Sequence, residues 1–363
     1  MKRKIAVLIP LCMLMAAAVW AFAAGGAGDP LASLSYLNGT FTSQVESRVD
    51  ERLDISDKAL LDGAEGSGTA TAGTAATWTE TRLKKDDVLR GTTGTNVMLL
   101  AGGGQVTYAS GAVVDATTGT VAASGSALSA RHRYIVAEDT SADFTVTSKT
   151  AVMDYQGNAA FSYSGTVDYN AMASALKAMR LFKGSLTGYG EGFDLEAAPT
   201  RLQALIMFIR VLGEEEQALA WTGATPFTDI AKGSDAEKYV GYAYSRGYTN
   251  GYSATQFKPA GSVNAYQYTE FVLRAMGYSS SANTDLSDAL TRAQAAGVLT
   301  AGEVSMLQTD TFLRAELVYI SYYALDAALP DGSRTLGDLL REKGVFTSEE
   351  RETARAMVTG WRL

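Results

Sequence analysis

The sequence predicts a multidomain α+β protein, in which a small all-β domain is followed by an all-α helical bundle. Between Trp78 and about Tyr163, apolar and polar residues alternate with the period of two that is typical of strands. From Asp168 onward the period becomes helical, and a helix–turn–helix plan recurs at intervals of about 50 to 65 residues. Such repetition predicts units that pack on one another, because a single unit cannot close a core alone.

Residues 1–23 have the pattern of a signal peptide. Met1–Lys4 form a basic segment, an apolar run follows from Ile5 to Val19, and Ala21-Phe22-Ala23 fits the small-x-small cleavage pattern. The apolar run is shorter than the roughly 20 residues that span a bilayer, which favours cleavage after Ala23 over an uncleaved anchor. We therefore expect a secreted protein that meets the membrane only during export.

Charge, cysteine and histidine content exclude several kinds of function. Removal of the three basic residues of the signal would leave 28 basic and 39 acidic residues, a net charge near −11. Bulk charge of this sign disfavours nucleic acid and anionic membranes as partners. The sequence has one cysteine, Cys12, and one histidine, His132, so neither disulfides nor cysteine or histidine metal clusters are expected. We expect His132 at the surface, and we expect no cofactor.

Residues 24–77 are predicted to lead from the signal peptide to the first domain. Val45, Val49 and Leu53 recur every four residues, which predicts an N-terminal helix within 24–61. This helix could dock on the next domain, self-associate or remain exposed. Residues 62–77 consist mainly of Gly, Ala, Ser and Thr, which predicts a flexible linker because little apolar surface can be buried.

Residues 78–165 are predicted to form an all-β domain of six to eight strands, whose role the sequence does not reveal. Strand-like runs, separated by glycine-containing turns, begin at Val97, Val106, Ala112, Tyr134 and Phe144. The triplet Gly102-Gly103-Gly104 predicts a hairpin turn, since a phosphate-binding loop would require a helix after it.

Candidate catalytic carboxylates in this domain are Asp115, Glu138 and Asp154. Glycoside hydrolysis requires two carboxyl groups at a set distance, one of them with a raised pKa. The three residues lie in unrelated strand or turn contexts, so no pairing is implied. The sequence therefore predicts a protein that is not an enzyme.

Three helical units are predicted to follow, at 168–215, 223–279 and 283–329, with capping helices at 332–363. In each unit a first helix ends at a glycine, a turn follows, and a second helix begins after Thr200, Asn264 or Leu313. Gln203 and Gln267 stand three residues after Thr200 and Asn264, which predicts a capping box at each of these two helix starts.

The middle unit carries the fullest set of recognisable motifs, namely Phe227-Thr228-Asp229, Gly247, Gly251, Phe257-Lys258-Pro259 and Met276-Gly277. The first unit adds Thr200-Arg201-Leu202-Gln203, and the third adds Leu313-Arg314-Ala315-Glu316. Taken in this order, from about Asp168 to Ala328, these motifs resemble the S-layer homology family.

The resemblance implies a pseudo-threefold bundle of three modules. The grooves between modules would bind an anionic secondary cell-wall polysaccharide linked to peptidoglycan, often one that carries a ketal pyruvate. It implies that Arg201 and Arg314 meet the acidic sugar, and we expect further ligand contacts from Thr200, Glu316, Asp229, Gly251 and Tyr252. A guanidinium in the first turn of a helix suits this role, because its planar donor fork lies beside the backbone amides and the positive end of the helix dipole.

Structural roles offer an alternative for several of these residues. Thr200 could simply cap its helix, and Asp229 could cap its loop. A cluster of tyrosines could stack on sugar faces or could pack within the protein: Tyr239, Tyr242, Tyr244, Tyr248 and Tyr252.

The sequence also departs from the family pattern in the middle and third units, and the third unit lacks a clear Phe-x-Pro. Ala265 stands where the middle unit should have its arginine, so the charge expected at that groove is missing. Leu313 stands where the third unit should have a capping threonine. Arg201 and Arg314 are therefore the positions at which we expect ligand.

These observations favour a non-catalytic protein of the cell surface, anchored non-covalently to the cell wall. The alternative is a self-assembling surface-layer or appendage subunit, a homo-oligomer in which the modules are mainly structural. An exported polysaccharide hydrolase is the third hypothesis, ranked below the other two because no carboxylate pair is evident.

Overall fold

A computed structural model describes residues 77–363, except 139, 188–189, 280–284 and 361. The predicted signal peptide at 1–23, the helix within 24–61 that carries Val45, Val49 and Leu53, and all but the last residue of the predicted linker at 62–77 lie outside the described residues. The chain runs from a β-rich region into a helical region, as the sequence predicts.

Ten strands form the β-rich region, which is more than the six to eight predicted. They are β1 Thr79–Lys84, β2 Val88–Thr92, β3 Asn96–Ala101, β4 Gly104–Thr107, β5 Ala112–Asp115, β6 Thr120–Ala122, β7 Arg133–Ala137, β8 Ser141–Val146, β9 Thr150–Gln156 and β10 Ala159–Ser162. The prediction missed strands that are short or rich in polar residues. β6 has three residues, and β1 carries Thr, Glu, Arg and Lys along an edge that tolerates exposure.

Two antiparallel sheets pack around a shared apolar core. Their strand orders are β1-β9-β3-β7-β5-β6 and β10-β2-β8-β4. Register places both Leu89 of β2 and Val106 of β4 beside Phe144 of β8. These three side chains are fully buried, together with Val97 and Met153 from the other sheet. Alternation along β5, β7 and β8 directs one face of each strand inward and leaves the other more exposed.

The helical region contains ten described helices and one short hairpin. The helices are α1 Tyr169–Ala178, α2 Arg201–Val211, α3 Glu215–Leu219, α4 Asp235–Ser245, α5 Ala265–Met276, α6 Ala289–Ala295, α7 Ala301–Thr309, α8 Arg314–Ala324, α9 Leu336–Glu342 and α10 Ser348–Met357; the hairpin strands are β11 Ser185–Thr187 and β12 Gly190–Gly192. In the part of the chain that the structure describes, none of the helices has the length and apolar character needed to cross a bilayer.

Local signals place the helix ends. Thr200 and Asn264 cap α2 and α5, and each forms the predicted capping box with the Gln three residues later. Gly277 ends α5 with φ of 87°, a left-handed conformation that glycine adopts without steric cost. α1 ends at Ala178, earlier than the predicted stop at 181–184, because Arg180 already turns into the left-handed region.

The second helices of the three units, α2, α5 and α8, contact one another at the centre of the helical region. The first helices follow a cyclic order, in which α1 packs on α8, α4 on α2 and α6 on α5. α10 packs on α1. One hydrophobic core extends through all of these helices, so each unit buries its apolar face against its neighbours.

Phe208 shows how the units share this core. It lies on α2, is 1% exposed, and its ring centroid lies 5.5 Å from that of Tyr248 and 5.8 Å from that of Phe271. We predict that Phe208→Ala lowers the free energy of unfolding by about 3–5 kcal/mol, because it leaves a cavity where two units meet. Val121, which is 62% exposed, provides the control: Val121→Ala should change the free energy of unfolding by less than about 0.5 kcal/mol. Chemical denaturation measures both, and equal effects would contradict the shared core.

Glu215 at the start of α3 joins the first and second units through charge. Burial opposes its ionisation, but hydrogen bonds from Lys183, Tyr239 and Arg210 outweigh burial and lower the pKa of Glu215 to about 2. A lowered folded-state pKa stabilises the protein above the ordinary value of 4.5, and this stabilisation is lost as the pH falls through about 2.

We therefore predict that Glu215→Gln lowers the thermal unfolding midpoint near neutral pH, and that its difference from the unmodified protein shrinks between pH 5 and 2. The exposed neighbour Glu216 supplies the matched control, Glu216→Gln, for the loss of one charge. A difference that stays constant across this pH range would refute the assigned role of Glu215.

Candidate functional site

A cavity of about 410 Å³ lies where the first and second units meet. Its walls are the start of α2, the turn at 249–254, one face of α5 and Leu286. Among the seven predicted ligand-binding residues, Arg201, Gly251 and Tyr252 line it. The cavity therefore joins residues that are 50 positions apart in the sequence.

Arg201 is the first residue of α2 and is 7% exposed. One terminal nitrogen, Nη2, donates a hydrogen bond to the carbonyl oxygen of Gly251 at 3.1 Å. The guanidinium also lies against the rings of Phe257 and Phe271, at 5.1 and 5.8 Å from their centroids. Its Nε is buried and has no hydrogen-bond partner among the described residues. The Arg201 guanidinium is thus held in one position, and its Nε remains able to donate a hydrogen bond.

The charges around Arg201 are unbalanced. Within the described residues, no carboxylate forms an ion pair with it. Burial, and then the nearby Arg274, lower the pKa of Arg201, because both disfavour its positive charge. Arg274 also lines the cavity and pairs with Glu270 at 2.8 Å, while Glu270 pairs in turn with Arg292 at 2.7 Å. An anion placed in the cavity would supply the counter-charge that Arg201 lacks.

The first two backbone amides of α2 already form hydrogen bonds within the protein. The N–H of Arg201 donates to the carbonyl of Gly261 at 2.7 Å, and the N–H of Leu202 donates to that of Pro259 at 3.1 Å. The hydroxyl of Thr200 accepts from the N–H of Gln203 at 3.2 Å. Thr200 is therefore a helix cap and does not line the cavity.

The turn at 249–254 positions the Gly251 carbonyl that holds Arg201. The N–H of Gly251 donates to the hydroxyl of Thr249 at 3.1 Å, and Thr249 is 1% exposed. Gly251 has φ of 80°, and a Cβ there would lie 2.3 Å from the ring of Phe227. Both the backbone conformation and the close approach of Phe227 require glycine at this position.

Asp229 caps a loop and does not line the cavity. Its carboxylate accepts hydrogen bonds from the N–H groups of Phe257 at 2.9 Å and Lys258 at 2.7 Å. Burial opposes ionisation, but these hydrogen bonds outweigh it and lower the pKa of Asp229. Lys258 has φ of 58°, so the carboxylate stabilises a backbone conformation that a lysine rarely adopts. The structural alternative that the sequence offered for Asp229 is the arrangement observed.

Among the five clustered tyrosines, Tyr252 lines the cavity. It is 60% exposed, and the ammonium of Lys258 lies 3.4 Å from its ring centroid. Three of the other tyrosines use their hydroxyl groups in hydrogen bonds within the protein. Tyr239 donates to Glu215, and Tyr242 and Tyr248 both donate to Glu214. Hydrogen bonds within the protein thus account for three of the five clustered tyrosines.

Arg314 begins α8 as Arg201 begins α2, but its surroundings differ. It is 5% exposed, and its Nε donates to the carbonyl of Phe193 at 3.2 Å. Burial and the nearby Arg210 lower the pKa of Arg314, and the carboxylates of Asp194 and Glu196 offset part of that fall. Arg314 therefore has acidic neighbours within the protein, and it does not line the cavity.

Glu316 is also remote from the cavity. Its side chain is fully buried, accepts a hydrogen bond from the N–H of Leu313 at 2.7 Å, and forms an ion pair with Lys149 of the β-rich region. Burial raises the pKa of Glu316, and Lys149 offsets part of that rise. Ala265 is buried at the start of α5.

The candidate catalytic carboxylates do not meet. Asp115 on β5 and Asp154 on β9 are separated by β3 and β7, which corresponds to about 14 Å at the usual strand spacing. Glu138 is exposed after β7. Asp115 pairs with His132 at 2.7 Å, so the lone histidine is tied to a strand end. Across the described parts of the chain, no three His, Cys, Asp or Glu side chains cluster in a way that could hold a metal ion.

Sequence reasoning missed the pair Glu270 and Arg274. Their i, i+4 spacing on α5 was the available signal, because such pairs favour one helix face. Arg210 stands nine residues after Arg201, as Arg274 stands nine residues after Ala265. A second arginine therefore recurs in the same place on two of the second helices.

Comparison with known proteins adds one finding. Residues 226–264 match the family model of the S-layer homology domain. The match spans Phe227, Asp229, Gly251 and Phe257, so the predicted resemblance is confirmed for the middle unit; it does not extend to Arg201 or Arg314. A comparison with curated proteins found no match.

Gly251 provides a test of the cavity's construction. We predict that Gly251→Ala lowers the free energy of unfolding by about 2–5 kcal/mol, because a left-handed alanine and a clash with Phe227 add together. Gly297 is the matched control: it ends the first helix of the third unit with φ of 70°, and a Cβ at this position would meet nothing within 4 Å. Gly297→Ala should therefore cost only about 1–2 kcal/mol. Equal losses would show that the contact with Phe227 is unimportant.

Proposed function

We propose that this chain is an exported, non-catalytic protein held at the cell wall by a bundle of three S-layer homology modules. The match at 226–264 identifies an S-layer homology domain, and a domain of this family implies association with the cell wall or cell surface. The proposal of a bound anion rests on the surroundings of Arg201. Its guanidinium is buried beside an open cavity and has no carboxylate partner among the described residues.

Two structural features support the presence of three modules, although the family model matches one of them. The first is the cyclic packing, in which the first helix of each unit lies on the second helix of another. The second is a repeated docking contact: the N–H of Arg201 donates to Gly261, and that of Arg314 donates to Ala197 at 2.9 Å. Gly261 and Ala197 each stand four residues after the Phe that opens their loop. Equivalent contacts at two junctions support a pseudo-threefold arrangement.

The ligand proposed for the cavity is an acidic sugar of a secondary cell-wall polysaccharide. A carboxylate, including that of a ketal pyruvate, would accept hydrogen bonds from the Arg201 guanidinium and neutralise its buried charge. Tyr252 offers an exposed ring at the cavity's edge on which a neighbouring sugar could stack. The anchoring contact would thus be electrostatic at its centre and apolar at its rim.

The wider features fit the same proposal. The predicted signal peptide would deliver the protein to the outside, where the polymer is linked to peptidoglycan. The distance between Asp115 and Asp154 supports a non-catalytic role, since it exceeds the separation of roughly 5–9.5 Å that glycosidases use. The β-rich region would then be the part displayed at the surface.

The proposal is tested by sedimentation of the full chain with native cell walls and with walls stripped of secondary polymer. We predict that native walls bind the protein and stripped walls do not. Equal sedimentation with both would refute polymer anchoring.

We further predict that Arg201→Met weakens binding to native walls by about 10- to 100-fold, because a charge-assisted hydrogen bond to a carboxylate is lost. The same change should leave the thermal midpoint of the free protein unchanged or higher, since it removes a buried charge that no described carboxylate balances. Arg314→Met is the matched control and should leave wall binding unchanged. Loss of binding with Arg314→Met and not with Arg201→Met would refute the site assignment.

A further inference from the structure

The third unit has residues at the sequence positions that correspond to those lining the cavity in the second unit. Counting from Gly297 as from Gly247, and along α8 as along α5, gives the residues that correspond to cavity-lining positions. We give the name third-unit groove to six of these positions: Ala265, Thr300, Glu303, Glu316, Tyr319 and Tyr323. Ala265 takes the place of Arg201, and Tyr323 takes the place of Arg274.

The charge of the third-unit groove is the reverse of that of the cavity. It has no arginine of its own, and two of its members, Glu303 and Glu316, are fully buried acids. Fully buried carboxylates are costly unless a cation and hydrogen bonds compensate them. The groove is therefore suited to a cationic group rather than to an acidic sugar.

Lys149 compensates the first acid from outside the helical region. It lies in the turn between β8 and β9, and its ammonium contacts the carboxylate of Glu316 and lies 2.9 Å from that of Asp310. The two contacting residues Lys149 and Glu316 are 167 positions apart in sequence. The connection between strands of the two different sheets thus supplies a charge to a helix start in the third unit.

Arg362 compensates the second acid. Its Nε and Nη2 donate to the two carboxylate oxygens of Glu303 at 2.7 and 3.0 Å, a bidentate arrangement, and Nη2 also donates to the carbonyl of Val298 at 2.9 Å. The guanidinium lies 4.6 Å from the ring centroid of Tyr323. The hydroxyl of Tyr319 donates to Glu303 at 2.9 Å, so the carboxylate has a full set of partners.

We infer that the third-unit groove is an internal docking site that binds the chain's own cations, Lys149 and Arg362, in place of an external anion. Lys149 fastens the β-rich region to the helical bundle through this site. A second consequence rests on the proposed function: the third-unit groove is closed to wall polymer, so the cavity at Arg201 carries polymer without help from this groove.

The docking contact is tested in the full chain by a double-mutant cycle with Lys149→Met and Glu316→Gln. We expect Lys149→Met to lower the thermal midpoint by at least about 5 °C, because a buried carboxylate loses its cation. The double variant should lose clearly less than the sum of the two single losses, since each change removes the same contact. Additive losses would overturn the docking role and leave Lys149 as a packing residue.

Lys85, an exposed lysine of the same region, supplies the matched control. Lys85→Met should change the midpoint by less than about 1 °C. Hydrogen exchange provides an independent measurement: amides of the β8–β9 turn should exchange faster in Lys149→Met than in Lys85→Met. Equal exchange in the two variants would count against docking.

Closure of the groove is tested by calorimetric titration with soluble secondary polymer released from native walls. We expect the Arg201 cavity to give a saturable site in the full chain and in Lys149→Met, since the groove uncovered in the variant is acidic. An additional site in Lys149→Met would overturn the charge argument for the groove. No binding by the unmodified chain, together with a non-additive mutant cycle, would overturn the polymer proposal and leave the docking contact standing.

Discussion

The second helices α2 and α8 each begin by docking on a loop from another unit, and this contact buries the arginine at each start. At α2 and α8, the first backbone N–H groups donate to carbonyls of the neighbouring loop, at Gly261 and Ala197. Docking of this kind satisfies amides that a helix end otherwise leaves open. It also buries the first side chain of the helix, whatever its identity, so one residue sets the charge of each junction.

The three junctions between units therefore differ in the charged groups that they contain. Arg201 is buried without a described carboxylate and faces an open cavity, whereas Arg314 is buried near Asp194 and Glu196. Ala265 leaves its junction without a cation, and Lys149 and Arg362 reach the acids there from elsewhere in the chain. The three second helices thus contact one another while the charged groups at their starts differ.

Sequence reasoning succeeded where a signal is local. The capping boxes at Thr200 and Asn264 follow from residues three positions apart, and the substitution at Ala265 follows from counting between two glycines. It failed where a contact joins distant segments. Nothing near Lys149 indicates Glu316, and nothing near Arg201 reveals that Gly261 would take its amide.

The Arg201 cavity also links stability to binding. A guanidinium that is nine-tenths buried without a counter-ion weakens the free protein, and the rings of Phe257 and Phe271 and the carbonyl of Gly251 offset only part of that cost. These contacts hold the group in place before any ligand arrives, so binding requires little reordering. Arg362, by contrast, forms a bidentate ion pair with the carboxylate of Glu303, so it stabilises the fold without a ligand. The same residue type is therefore proposed to serve binding at Arg201, whereas Arg362 serves folding because the protein itself supplies its carboxylate.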